Sequence, residues 1–313
     1  MIVQPNPPPL FSENPKVNGL SYYGAPTRPF YWSVWRELWE NRSIYIAPLI
    51  VAAVQIFGFA ISTIGLAERR RDLLLLDDPL KQRAAIEAPY DLAAMMMIFT
   101  VFIVGVFYCL DALYGERRDR SILFWKSLPV SDLTTVLSKA IIPLAVLPMI
   151  SFAIVVCVQV IMLLTTSANL LMHGMDPATT WAHVPVFQNW LVLLYGLVVL
   201  ALWHAPIYGW LLLVSGWARR ATFLWAVLPL IIIQIFEKIT FGTSYFGSFV
   251  GHRLMGFAPH AFDFHGPGHP TVDSFIQLTP GRYLSSPGLW IGLIVAALFL
   301  AAAVRLRRYR GPL

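Results

Sequence analysis

The sequence predicts an all-α integral membrane protein with six transmembrane helices. Of its 313 residues, 57% are hydrophobic and only 13% are charged, and the mean hydropathy is +0.64. A soluble domain of this size carries more charge than that on its surface. Six apolar stretches also reach the length of about 20 residues with which a helix crosses the hydrocarbon layer. They lie near 44–66, 92–113, 138–165, 188–214, 221–238 and 287–306. Together they predict one transmembrane domain over residues 30–310.

The chain ahead of the first span divides into two parts. Residues 1–29 are polar and rich in proline, which predicts a flexible N-terminal arm without the apolar core of a cleavable signal peptide. Residues 30–42 then place Trp32, Trp35 and Trp39 on one helical face. That spacing fits an interfacial helix in the headgroup region, and it fits equally an aromatic belt at the start of a longer helix.

The positions of Lys and Arg predict that both termini lie on the cytoplasmic side of the cell inner (plasma) membrane. The basic residues then placed inside are Arg117, Arg118, Arg120, Lys126, Arg219, Arg220, Arg305, Arg307, Arg308 and Arg310. Loop 166–188 on the other side has no Lys or Arg, and the long outer loop 239–287 has only Arg253 and Arg282. Loop 68–91 departs from the rule, because it is placed outside although it is basic. Its basic residues are Arg69, Arg70, Arg71, Lys81 and Arg83.

Several classes of function are not supported by the sequence. The net charge of +6 is scattered over loops and forms no single basic face, so nucleic acid is not an expected partner. Cys109 and Cys157 lie inside apolar runs and indicate no disulfide. No lysine follows a G-x-x-x-x-G, and no Ser/His/Asp or Cys/His set assembles a nucleophile. We therefore expect no catalytic residues, and the spans lack the paired central acids of ion-coupled transporters.

A charged and amphipathic segment, ERRDRSILFWKSLPVS at 116–131, separates the second and third apolar runs. It begins with charges and continues with an apolar stripe, and Pro129 ends it before Ser131, which we expect to cap the next helix. Such a helix packs its apolar side against the membrane domain and offers charges to a cytoplasmic partner. Its charges taken alone fit a simple topology signal, because basic inner loops occur in most membrane proteins.

The order E-R-R-x-R-S-I-L-x-x-K-S-L-P-V-S, followed by Leu137-Ser-Lys139, resembles the permease subunits of ABC-2 type transporters. Those subunits typically have an E-R pair, a small residue and leucines, then P-V-S/T and a lysine at the next helix start. The resemblance is specific over residues 114–139 and looser, by span count and loop lengths, over 30–310. It implies a dimer of permeases, homodimeric or heterodimeric, in which each copy docks a coupling helix in a groove of a separate ATP-binding subunit.

The resemblance also implies which residues of this loop form the coupling site. The residues at the ATPase interface would be Glu116, Arg117, Arg118 and Arg120. The residues that pack the coupling helix would be Ile122, Leu123, Trp125 and Leu128. Two copies of the partner ATPase would hold ATP and Mg²⁺, and this chain would hold no cofactor. Membrane lipid is the remaining partner.

Polar residues inside the spans are candidates for a translocation path. Gln55, Gln159 and His204 could line such a path, because polar groups in a bilayer usually face protein or water. They could equally hydrogen-bond neighbouring helices. We prefer the helix-to-helix account for the glutamines, and both accounts stay open for His204.

The outer loop contains four histidines, and the last three are close enough in sequence to suggest zinc or copper. They are His252, His260, His265 and His269. The segment has no cysteine, no helical H-x-x-x-H pair and no H-E-x-x-H, so we assign no metal site. We expect short helices that partly re-enter the membrane under an apolar lid. The lid residues would be Phe241, Tyr245, Phe246, Phe249 and Phe257.

The sequence thus predicts the permease subunit of an ATP-driven ABC exporter. The aromatic and methionine-rich spans favour a hydrophobic or amphipathic cargo, such as a drug-like compound or a peptide, although the same residues fit contact with lipid. A lipid or polysaccharide exporter of the same architecture is the first alternative. A membrane metalloenzyme that uses the outer histidines and a non-transporting anchor that recruits an ATPase are the others.

Overall fold

The computed structural model describes residues 29–75, 78–127, 130–263 and 277–311. Residues 1–28 of the expected arm lie outside the described residues, as do Leu128, His265 and His269. All regular secondary structure within the described ranges is helical. The prediction of an all-α chain is therefore confirmed.

Within the described ranges, six helical stretches are long and apolar enough to cross a membrane, as predicted. They are Ser43–Ser62, Lys81–Arg118, Asp132–Met172, Val186–Trp217, Thr222–Phe241 and Pro287–Tyr309. Helices satisfy their backbone hydrogen bonds internally, which is what the interior of a bilayer requires. These six stretches indicate a multi-pass membrane protein.

The helices of the first half are α1 Pro29–Glu40, α2 Ser43–Ser62, α3 Leu66–Leu74, α4 Pro79–Ala112, α5 Tyr114–Arg118, α6 Ser121–Ser127 and α7 Asp132–Ile141. A π-helical turn follows at Ile142–Val146. The helices of the second half are α8 Leu147–Met172, α9 Ala178–His183, α10 Val186–Trp217, α11 Thr222–Phe241, α12 Tyr245–Met255, α13 Ala258–Ala261, α14 Pro280–Leu284 and α15 Pro287–Tyr309.

The second apolar run forms only the later part of a longer helix. α4 begins at Pro79, whereas the apolar run begins near 92, so much of loop 68–91 is helical in α3 and in the first turns of α4. Arg83 and Glu87 form an i,i+4 ion pair of 3.0 Å on this extension. Charged residues interrupt an apolar pattern without ending a helix, because most of them are good helix formers.

The third span consists of α7, the π-helical turn and α8 in succession. Ser131 caps α7 as predicted, because its side chain accepts a hydrogen bond of 3.0 Å from the backbone N–H of Thr134. Pro143 lies in the π-helical turn, where its missing N–H removes one helical hydrogen bond. The long third helix is thus irregular close to its start.

α10 lies at the centre of the bundle and packs along α15 and α4. A glycine permits the close approach to α15, since a Cβ atom at Gly209 would lie 3.2 Å from the carbonyl oxygen of Ala296. Half of the most apolar window of α10 (50%) is buried, against 6% of the corresponding window of α11. α11 therefore stands at the periphery of the single chain.

The described part of the chain between α11 and α15 contains the short helices α12, α13 and α14. Glu237 near the end of α11 accepts hydrogen bonds from the backbone N–H groups of Tyr245 and Phe246, at 2.6 and 2.8 Å, and so caps α12. An isolated bridge between Phe262 and Leu278 joins the ends of α13 and α14.

Candidate functional site

The loop between the second and third spans folds into α5 and α6, and its predicted site residues divide between the interior and the surface. The buried ones are Glu116, Arg117 and Ile122, and Trp125 is half-buried. The exposed ones are Arg118, Arg120 and Leu123. Leu123 is 59% exposed and its neighbour Phe124 is 60% exposed. α6 thus presents an adjacent apolar pair at the surface.

Glu116 belongs to a buried cluster of charged side chains, called here the charge network. Its members are Arg36, Glu37, Glu116, Lys139 and Arg307. Lys139 Nζ lies 2.9 Å from Glu37 Oε1 and 3.1 Å from Glu116 Oε1. The other carboxylate oxygen of Glu116 lies 3.0 Å from Arg307 Nη2. Four helices, α1, α5, α7 and α15, therefore meet through one set of ion pairs.

Three further polar contacts extend the charge network, one at Arg307 and two at Glu37. Arg307 Nη1 lies 2.6 Å from Asp132 Oδ1, and Arg36 Nη2 lies 2.8 Å from Glu37 Oε1. Tyr108 of α4 donates its hydroxyl proton to Glu37 Oε2 at 2.8 Å. With Asp132 included, three carboxylates face three cations. This balance matters because a buried charge without a partner is strongly destabilising.

The electrostatics of α1 follow from this pairing. Burial raises the pKa of the Glu37 carboxyl, but the charge of Lys139 and the hydrogen bonds from Arg36 and Lys139 outweigh burial and hold that pKa below its ordinary value. Burial likewise opposes ionisation of Arg36, whose pKa is nevertheless raised by its contact with Glu37. Both side chains are therefore held in their charged forms.

α5 is fixed to the end of α10 by hydrogen bonds to backbone groups. Arg117 Nη1 donates to the carbonyl oxygen of Gly216 at 2.8 Å, which satisfies one of the carbonyls left free at a helix C-terminus. In the other direction, Ser215 Oγ accepts from the backbone N–H groups of Leu113 and Tyr114, at 3.0 and 2.9 Å. These hydrogen bonds attach the start of the loop to the C-terminal end of α10.

α6 in turn contacts α1 and the end of α15. The Arg36 guanidinium lies over the Trp125 ring, 4.1 Å from its centroid, in a cation–π contact. Lys126 Nζ donates to the carbonyl oxygens of Arg308 and Arg310, at 3.4 and 3.2 Å. The loop and the C-terminal tail consequently lie at the same end of the bundle.

The sequence did not reveal most members of the charge network as site residues. Glu37 is separated from Glu116 and Arg307 by long stretches of chain, so no local motif joins them. Two signals were present. Glu37 lies away from the face of α1 that the three tryptophans form, and Lys139 is a charged residue inside the start of an apolar run.

Gln55 and Gln159 hold helices together. The Gln55 side chain donates to the Ala93 carbonyl oxygen at 3.0 Å, and the Gln159 side chain donates to the Tyr90 carbonyl oxygen at 3.1 Å. Both acceptors belong to α4, while the glutamines belong to α2 and α8. Their geometry fits the helix-to-helix account.

His204 lies in a different part of the bundle from the two glutamines. Its ring contacts Phe102, with ring centroids 5.2 Å apart, and it is almost fully buried. Its Nδ1 lies 2.9 Å from the Leu200 carbonyl oxygen and its Nε2 lies 3.1 Å from the Leu254 carbonyl oxygen. His204 thus joins α10 to α12, and the three candidate path residues do not form one cluster.

The described part of the chain contains no group of three or more His, Cys, Asp or Glu side chains that could hold a metal ion. The rings of His252 and His260 approach each other, with centroids 5.9 Å apart. The other two histidines of the proposed metal alternative lie outside the described residues.

Comparison with protein-family models, curated proteins and solved structures finds no match to the chain. The structure itself defines an all-helical, multi-pass membrane protein. Its charge network lies beside a short helix between two spans, and that helix exposes an apolar pair.

Proposed function

We propose that this chain is the permease subunit of an ATP-driven ABC exporter, and that two copies form the transport unit with two separate ATP-binding subunits. The observation that carries this proposal is the exposure of Leu123 and Phe124 on α6, beside Arg118 and Arg120. A short helix with an uncovered apolar pair and flanking cations suits the groove of a partner protein.

The charge network supports a transmission role for this helix. Glu116 stands just before α6 and contacts both Lys139 of the third span and Arg307 of the sixth. A displacement of α6 therefore reaches two spans through short ion pairs. Close-packed side chains and buried ion pairs deform little, so a push by the ATPase would move these helices as one unit.

The expected interface is accordingly divided into two roles. Arg118, Arg120 and Leu123, together with Phe124, would touch the partner. Glu116, Arg117, Ile122 and Trp125 would position α6 through contacts within the chain. In this proposal the E-R pair of the motif makes contacts within the chain, and the residues after it form the docking surface.

The proposed orientation places the loop, α1 and both termini in the cytoplasm, with the protein in the inner (plasma) membrane. The contacts of Lys126 with the C-terminal tail support a common side for the loop and that tail. α1 would lie in the headgroup region, because Trp32 and Trp39 are exposed while Glu37 on another face is buried.

Exposed apolar surface of the single chain is available for both the proposed dimer interface and the proposed cargo. α11 leaves nearly all of its apolar window for lipid or for the second copy. Met95, Phe99 and Phe107 are exposed on α4, so they are available to lipid and to a hydrophobic cargo. The proposed cargo is a hydrophobic or amphipathic compound. Transport assays in vesicles that compare such a compound with a lipid and with a polysaccharide distinguish this cargo from the alternatives.

The direct test is co-purification with ABC ATP-binding subunits of the source organism. We expect the wild-type chain to retain one such subunit and to stimulate its ATP hydrolysis. The double variant Leu123→Ala/Phe124→Ala should insert and fold but lose at least about tenfold in affinity for the ATP-binding subunit. It removes the two exposed apolar side chains that the interface would bury.

The control is Leu171→Ala/Met172→Ala, which removes a similar exposed apolar pair from the opposite end of the third span. It should leave the complex intact. Equal affinity and equal stimulated hydrolysis for both double variants would contradict the proposed docking surface.

A further inference from the structure

Three side chains from the chain between α11 and α15 surround Trp203 of α10. The Arg253 guanidinium carbon lies 4.6 Å from the centroid of the Trp203 ring. The rings of His252 and His260 lie 5.7 and 5.6 Å from the same ring. These four side chains, called here the donor cluster, bring α10, α12 and α13 together.

The donor cluster contains buried polar atoms that have no partner among the described residues. Trp203 Nε1 is one of them, on a side chain that is only 1% exposed. Arg253 Nε and Nη2 are the others, while Nη1 of the same guanidinium donates to the Gly288 carbonyl oxygen at 2.9 Å. All three unpaired atoms are donors, since neither indole nor guanidinium nitrogens accept hydrogen bonds. The missing partner is therefore an acceptor.

The missing partner is also expected to carry negative charge. Burial lowers the pKa of Arg253, and no carboxylate within the described ranges offsets that effect. Arg253 is half-buried as a residue, but its Nε and Nη2 atoms are buried, and a guanidinium that loses water in this way without a counter-charge is unfavourable. An anion within hydrogen-bonding distance of these donors would give them an acceptor and would neutralise the charge of the guanidinium.

The backbone of α15 is shaped to admit the guanidinium. A Cβ atom at Gly292 would overlap the Arg253 guanidinium, so only glycine leaves room for it. A Cβ atom at Gly288 would come within 3.5 Å of the Trp203 ring. Both glycines face the donor cluster from the first turns of the sixth span.

The depth of the donor cluster in the membrane follows from α15. Gly288 lies at its first turn, and Arg305, Arg307 and Arg308 lie at its other end. An apolar helix of that length spans the hydrocarbon layer, so its first turn lies at the level of the lipid headgroups. Every phospholipid headgroup carries a phosphate group at that level.

We propose that the donor cluster binds one phosphate group at the end of the sixth span that is remote from the basic tail. Arg253 would supply the charge and a planar fork of donors, and Trp203 Nε1 would supply a further donor. The phosphate could belong to a phospholipid headgroup or be free in solution, and the two sources share this chemistry. The site does not depend on the ATPase proposal.

Binding to the purified wild-type chain in neutral detergent tests the proposal directly. One titration uses inorganic phosphate against chloride at equal ionic strength, and the other uses short-chain phosphatidylglycerol against short-chain diacylglycerol, which lacks the phosphate. Native mass spectrometry and the shift of the unfolding temperature report binding. Saturable binding of phosphate identifies a free anion, and binding of phosphatidylglycerol alone identifies a headgroup. Absence of binding by both probes to the wild type overturns the proposal.

Variants then locate the site. Arg253→Gln should weaken binding at least about tenfold, because it removes the hydrogen bonds of a charged donor. Arg282→Gln is the matched control, since Arg282 is an exposed arginine of α14 outside the donor cluster, and it should bind like the wild type. Trp203→Phe keeps an aromatic ring but loses the N–H, and should weaken binding about three- to tenfold. Equal binding by all three variants would contradict this location.

Discussion

Lys139 Nζ lies 2.9 Å from Glu37 Oε1, and the two side chains are 2% and 0% exposed. This ion pair joins α1, which precedes all six spans, to the start of the third span. Glu116 shares the same lysine, and Arg36 of α1 contacts both Glu116 and Trp125, so the loop between spans two and three is joined to α1 by several contacts. The stability of α1 and the position of α6 are therefore linked.

Glu37→Gln should lower the free energy of unfolding by about 3–5 kcal/mol, because it leaves buried cations without a matching charge. The measurement is the unfolding midpoint of the purified protein in detergent. Glu40→Gln is the control on the same helix, since the Glu40 side chain is 42% exposed and lies 3.8 Å from Arg36. That change should cost less than about 1 kcal/mol. Similar losses for both variants would argue against a structural role for the buried pair.

The same carboxyl makes stability depend on pH. Because the pKa of Glu37 lies below its ordinary value of 4.5 in the folded chain, the unfolded chain binds the proton more tightly. The stabilisation is full above pH 4.5 and is lost as the pH falls through the folded-state pKa. Unfolding midpoints of the wild type should decline more steeply below pH 4.5 than those of Glu37→Gln. Parallel pH profiles would show that Glu37 is not held ionised by Lys139.

The positions of the spans can largely be predicted from the sequence, but the residues at which the helices begin and end cannot. A run of apolar residues reports where a helix meets the hydrocarbon layer, whereas helix ends depend on backbone hydrogen bonds and caps. The charged turn at Arg83 and Glu87 continues α4 outside the apolar run. The cap at Ser131 was predictable because its signal is local.

The charge network could not be predicted, because its pairs join residues that are far apart in sequence. Composition shows the same number of charges whether Glu37 faces water or Lys139. Only the packing of α1 against α7 decides between them. For the same reason, Glu116 and Arg117 looked like surface residues of a charged loop, although packing buries both.

Ser215→Ala should loosen the connection between α5 and α10. The change leaves the backbone N–H groups of Leu113 and Tyr114 without their buried acceptor, which costs about 1–3 kcal/mol. Hydrogen exchange of those two amides should become faster. Ser127→Ala is the control, because the exposed Ser127 hydroxyl donates only to the Phe124 carbonyl oxygen within α6. Unchanged exchange at both amides in Ser215→Ala would contradict the contact.

Cysteine labelling from either side of the membrane should show that the two ends of the bundle lie on opposite sides. Leu123→Cys and Tyr309→Cys should react with an impermeant maleimide from the same side, because Lys126 of α6 bonds to carbonyl oxygens of the C-terminal tail. Leu171→Cys should react from the opposite side. The background variant is Cys157→Ser, and the native Cys109 is buried.

The side of this labelling also decides whether an ATPase can reach α6. In inside-out vesicles the cytoplasmic face is exposed, so Leu123→Cys and Tyr309→Cys should be modified there and protected in intact cells. Labelling of the two positions from different sides would contradict the packing of α6 against α15. Labelling of both from outside intact cells would leave that packing in place and eliminate cytoplasmic docking, since a nucleotide-hydrolysing partner would then have no access to Leu123 and Phe124.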